Sequence, residues 1–139
     1  MKERRKAREL VLKALYAKEM TGYRIAKIEK IIIDESNLKE HLVEFARELF
    51  EKTASHQKTI DGYIKEKSEN WEFSRIALID KIVLRMAICE FFYMEDVPPK
   101  VSIAEAIEIV KKFSTEDSSS FVNGILDAVF HSNFKNVKK

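Results

Sequence analysis

The 139-residue sequence predicts an all-α protein of about six to seven helices, on three observations. Three Gly and two Pro leave little material for hairpins or Gly-rich loops. Apolar residues recur at three- and four-residue spacing through most of the chain. One stretch, residues 74–94, is apolar around most of the helical wheel, the mark of a helix buried by neighbours on several sides.

The first helix is expected over residues 3–20. Ala7, Leu10, Val11, Ala14 and Ala17 form its buried stripe, and Thr21-Gly22 stops it. At 100° per residue, Arg5, Arg8, Leu12 and Tyr16 fall together on one flank. Ile25, Ile28, Ile31 and Ile32 predict a short second helix ending between Asp34 and Asn37. Helical spacing resumes at Leu38 and runs to about Lys67, with a break expected between Ser55 and Lys58. The central helix follows over 74–94, and its charges Asp80, Lys81, Arg85 and Glu90 must reach a rim or a partner.

Pro98-Pro99 is expected to end that helix, and Ser102 with Glu105 reads as a capping box starting the next at Ile103. Residues 114–120 read as a polar loop before a last helix whose apolar positions are Phe121, Val122, Ile125, Leu126 and Val129. Periodicity runs through Asn123-Gly124, so Gly124 is expected inside that helix, giving a neighbour or a ligand room to approach.

Several chemistries are excluded. Glycines at 22, 62 and 124 build neither a dinucleotide fingerprint nor a phosphate loop. His41, His56 and His131 are far apart in sequence, no catalytic constellation is found, and neither a metal nor a cofactor is expected. A single cysteine, Cys89, inside an apolar run, reads as a small buried hydrophobe. No uncharged stretch approaches the ~18 residues of a membrane span, and no apolar secretion segment follows the N-terminus, so a cytoplasmic, non-enzymatic protein is expected.

The charge distribution is the positive signal. The net charge is only +2, yet residues 1–13 hold six basic residues (Lys2, Arg4, Arg5, Lys6, Arg8, Lys13) against Glu3 and Glu9. The tail adds Lys135, Lys138 and Lys139. A basic helix carrying Tyr16 suits a polyanion with unpaired bases, because cations neutralise phosphate and an aromatic ring stacks a base.

Three segments carry a family likeness. They are Arg4-Arg5-Lys6-Ala7-Arg8-Glu9 leading to Ala14-Leu15-Tyr16; Asp80-Lys81-Ile82-Val83-Leu84-Arg85-Met86-Ala87 to Glu90; and Val97-Pro98-Pro99-Lys100-Val101 through Glu105-Ala106-Ile107-Glu108 and Glu116-Asp117-Ser118 to Phe121-Val122-Asn123-Gly124-Ile125-Leu126-Asp127. In this order they resemble the NusB-type transcription antitermination factors. The resemblance implies one domain over residues 1–139, built as two packed three-helix bundles. It also implies binding to boxA RNA together with the ribosomal protein NusE, inside an RNA polymerase antitermination complex. It assigns RNA contact to Lys2, Arg4, Arg5, Arg8 and Tyr16 in the first helix, and to Asp117, Ser118 and Phe121 at the start of the last. Asp80 and Arg85 match the region near the NusE surface. Many members have a lysine where this chain has Ser120.

On physical grounds other readings stand beside these. Phe121 is equally a core residue, and for Asp117 physical grounds favour a helix cap over RNA contact, since its charge repels phosphate. A structural homodimer that buries the basic helix, and a helper domain of the kind fused to RNA methyltransferases, are the alternatives to an antitermination factor.

Overall fold

The computed structural model describes residues 2–68 and 72–134, and all of their regular structure is helical. The basic tail residues Lys135, Lys138 and Lys139 and the side chain of Lys2 lie outside what is described. Helix α1 spans Lys2–Thr21, and Gly22 ends it at φ +72°, donating its N–H to the Lys18 carbonyl at 2.9 Å. Helix α2 (Ile25–Ile28) widens into a π-helical turn over Glu29–Ile33. Then come α3 (Glu40–Ser55), α4 (Gln57–Lys67), a 3₁₀ turn (Phe73–Arg75), α5 (Leu78–Tyr93), α6 (Pro99–Phe113) and α7 (Glu116–Phe134).

The helices pack as the two three-helix groups the resemblance implies. In the first, α1 lies along α3, with α2 against α1 and the π turn against both; in the second, α5, α6 and α7 pack on one another. The core helix α5 joins the groups, touching α1, α3, α4, α6 and α7. Ile82 through Phe91 are buried without interruption, as expected of a segment apolar on every side. Cys89 is among them, fully buried, and burial pushes its thiol up to about 11, so it behaves as a hydrophobe.

The element boundaries follow from local conformation and from side-chain partners. The break between α3 and α4 falls at His56, whose ring stacks on Tyr93 with centroids 3.8 Å apart. Helix α5 starts at Leu78 rather than Ser74, because Ile76 and Ala77 take extended backbone (ψ 132° and 142°). Helix α6 begins at Pro99, not Ile103: proline at the first position lacks an N–H that would have no intrahelical acceptor there. Ser102 and Glu105 are therefore no capping box. Both are buried inside α6 and hold residues of other helices.

Helix α7 begins at Glu116, four or five residues before the expected start. Thr115 is its cap, its Oγ1 accepting the Ser118 N–H at 3.1 Å. Asp117 is not the cap but an exposed first-turn acid, placed where the helix dipole favours negative charge. Gly124 does lie within α7, but a β-carbon there would meet nothing within 4 Å, so no close approach inside the chain requires it. Replacing Thr115 with alanine is expected to cost about 1 kcal/mol in urea unfolding. Faster amide exchange confined to the first turn of α7 would accompany it; an unchanged melt would remove Thr115 as the cap.

Candidate nucleic-acid interface

The arginines of α1 face inward to carboxylates. Arg8 is 3% exposed, and its guanidinium forms a bidentate pair with Glu90 of α5, at 2.8 and 2.9 Å. Ser102 of α6 donates to the same carboxylate at 2.6 Å. Arg5 grips Glu105 of α6 through Nε (2.7 Å) and Nη2 (3.0 Å), which holds the Glu105 carboxyl below the usual carboxylate range. Arg4 donates to Asp96, in the loop after α5, at 2.9 Å, likewise lowering that acid. The Arg4 and Arg8 guanidinium carbons lie 4.3 and 5.2 Å from the Phe45 ring centroid, so an aromatic of α3 closes the same layer. A weaker pair, Lys112 to Glu9 at 3.1 Å, continues the row along α6.

These contacts staple α1 to the second helical group, and they correct the expectation for Arg8. A guanidinium buried against Glu90 is not presented to phosphate. Arg4 and Arg5 stay about one-third exposed, so part of each charge reaches solvent. Lys6 and Lys13 of α1 are exposed and Lys18 is half-buried, all three without an ion-pair partner among the described residues, and Tyr16 is exposed on the same helix.

The second set of expected residues converges. Asp117, Ser118 and Phe121 from the start of α7 line a cleft of about 300 Å³ together with Asp80 from α5. Arg75, Ile76 and Ala77 complete it. Ser118 is oriented by three bonds: its N–H to Thr115 Oγ1, and hydroxyl donation to its Oγ from Ser114 and Thr115, each at 3.1 Å. Asp80 is 5% exposed, and its Oδ1 is closed from solvent with no hydrogen-bond donor among the described residues. A buried acceptor left so is costly unless something arrives to donate.

Asp80 and Arg85 were expected to share a partner surface, and the structure separates them. Arg85 is 8% exposed and pairs bidentately with Asp61 of α4, at 2.8 and 3.0 Å. It joins α4 to α5 and is occupied inside the fold, so it presents no guanidinium to a partner.

The residues that sequence reasoning missed are the carboxylates Glu105 and Asp96 as arginine partners, and the cleft cation Arg75. Glu90 was singled out as needing a partner, and that partner is Arg8. Arg75 had no signal, because its role comes from the 3₁₀ turn that brings it beside α7. Among the described residues no group of His, Cys, Asp and Glu could hold a metal ion, and no helix is long and apolar enough to cross a membrane.

Comparison with known proteins fits this arrangement. The chain is 44% identical over 129 residues to the transcription antitermination protein NusB of Chloroherpeton thalassium, spanning 92% of this chain and 61% of that protein's length. It is 42% identical over 137 residues to the protein of the same name from Geotalea daltonii, covering 93% of this chain and 94% of the relative. Both names denote a transcription factor and not an enzyme. Among solved structures, Thermotoga maritima NusB superposes with a TM-score of 0.81 at 35% identity, covering 91% and 89% of the two chains. A chain from the crystal structure of antitermination factors NusB and NusE in complex with dsRNA superposes at 0.85, with 25% identity and coverage of 95% and 98%. The NusB family itself matches from Arg5, in the α1 staple, to His131 near the end of α7. The α5–α7 cleft and all of the stapled basic helix from Arg5 onward lie within that match, and the chain belongs to the NusB family.

Proposed function

We propose that this protein is an antitermination factor that binds boxA-type RNA together with NusE, as a single domain, within an RNA polymerase antitermination complex. The observation that carries the reading is the likeness of the whole fold to a chain solved with NusE and RNA. The physical fit is consistent with it. Lys6, Lys13 and the exposed parts of Arg4 and Arg5 supply phosphate contacts, with Lys2 assigned beside them by resemblance, and Tyr16 supplies a stacking ring. The cleft offers the Phe121 ring, the Ser118 hydroxyl, the Asp117 carboxylate and the buried acceptor Asp80 to a base edge or a partner's cation. Arg75 provides a cation in the same cleft as Asp117 and Ser118. Arg8 acts indirectly, by fixing how α1 sits on α5 and α6.

The test is RNA binding by fluorescence anisotropy, boxA-like against scrambled sequence, with and without NusE, across a salt series. Binding should be tighter with NusE present and with the boxA-like sequence. Replacing Lys6 and Lys13 together by alanine should flatten the log–log salt slope by about 1.4, near 0.7 per lost phosphate contact on a single strand. Arg75→Ala should weaken binding without changing the melting temperature. Equal binding to scrambled RNA in every condition would overturn the reading.

A further inference from the structure

We infer that the corner where α1 meets α2 is a second RNA-contacting surface, which takes unpaired nucleotides flanking the primary element. This rests on the proposed function but concerns residues outside the interface described above.

Among the described residues the large apolar side chains left exposed are four, all between positions 16 and 31. They are Tyr16 (41%), Met20 (57%), Tyr23 (43%) and Ile31 (49%). Three lie beyond Tyr16, on the last turn of α1, the corner and the π turn. Isolated exposed apolar residues are ordinary; clustering of the whole set at one corner marks an interaction surface.

The charge there selects the partner. Arg24, Lys27 and Lys30 are exposed, and none has a carboxylate within ion-pair distance among the described residues. The α1 arginines, by contrast, are each matched to an acid. Of the acids near the corner, Glu19 lies 3.9 Å from Arg85, Asp34 pairs with Arg47 at 2.6 Å and Glu29 is turned inward, which leaves the exposed Glu35, past the π turn, against three cations. An unneutralised cluster of cations among aromatic and aliphatic side chains suits a polyanion with π faces. Lysine is depleted in protein–protein interface cores, and a second copy of this chain would set like charges against each other.

The geometry of Tyr23 carries the argument to the base. Lys27 Nζ lies 3.9 Å from the ring centroid and covers one face. The ring is nonetheless 43% exposed, leaving room for a base to stack on it. Tyr23 stands just before α2, Lys27 within α2 reaches back over its ring, and Ile31 is exposed on the π turn that follows, so stacking ring, phosphate cation and apolar edge come one after another along the corner. Tyr16 lies about 8 Å of helix rise before the end of α1 at Thr21, and Tyr23 follows just past Gly22, so a strand leaving the primary site along α1 arrives at the corner.

The experiment compares a short boxA-like RNA with the same RNA extended by about six unpaired nucleotides at either end, within the usual size of a single-strand site. The protein is the full chain with NusE present, in wild-type, Tyr23→Ala and Lys27→Glu forms, each checked by thermal melting. The wild type should bind one extended RNA about tenfold more tightly than the short one. Both variants should lose that gain while binding the short RNA as the wild type does. Photocrosslinking from a thiouridine in the extension should map to residues 20–31. If the short RNA binds but extension gains nothing, or the variants keep the gain, this inference is overturned and the primary reading stands. If the variants lose NusE while keeping the RNA gain, the corner is a protein surface and the inference again fails. A wild-type chain that binds neither RNA overturns the primary reading and this one with it.

Discussion

Arg8→Ala is expected to lower the free energy of unfolding by about 3–5 kcal/mol, the usual cost of removing one partner of a buried ion pair. Glu90 is 1% exposed, and losing Arg8 removes both of its guanidinium bonds, leaving the single 2.6 Å donor from Ser102. The carboxylate cannot turn to water, because α1, α5 and α6 close around it. Urea unfolding with an unchanged m-value reads the loss directly. A double variant, Arg8→Met with Glu90→Leu, should recover most of it, since an apolar pair of similar volume avoids desolvating two charges. If Arg8→Ala melted like the wild type and flattened the RNA salt slope, Arg8 would be a phosphate contact and not a staple. Weaker RNA binding that tracks the loss of folded protein, with the slope unchanged, is the outcome the geometry supports.

That result bears on how far a sequence discloses a site. The helices were legible because their apolar spacing is local: α1, α5 and the break near His56 stand close to where periodicity puts them. The starts of α6 and α7 were not legible, because Ser102 and Glu105 have the spacing of a cap but are consumed by tertiary partners, Glu90 and Arg5. Charge patterning identified the basic helix correctly and misjudged which charges are free. Arg5, Arg8, Leu12 and Tyr16 do share a flank, yet Leu12 and Arg8 are buried while Tyr16 is exposed, so one side of that flank is interface. Whether an arginine meets a carboxylate about a hundred residues away is decided by packing, and no spacing rule along α1 contains it. The cleft was half legible: Asp117, Ser118, Phe121 and Asp80 were all singled out, but that they line one space with Arg75 follows only from the approach of α7 to α5.

The pH dependence of stability should carry the signature of a single glutamate. Glu29 opens the π turn, and its Oε2 is closed from solvent without a hydrogen-bond donor among the described residues. Burial, and then the adjoining Glu51 carboxyl of α3, raise its pKa from the ordinary 4.5 to about 7. Arg47 opposes this weakly: it stands 3.9 Å from Glu29 and is held by Asp34 at 2.6 Å. With the folded pKa above the unfolded one, the contribution to stability is fully present below about pH 4.5 and is lost as pH rises through about 7. At about 1.4 kcal/mol per pKa unit, the decline across that window is roughly 3 kcal/mol. Glu29→Gln retains an amide donor for Glu51 and removes the titration. The variant should match the wild type near pH 5 and exceed it by about 2–3 kcal/mol near pH 8, read from urea midpoints across the series. Parallel curves for the two proteins would show that Glu29 is ionised in the fold throughout, and that the contact with Glu51 carries no proton.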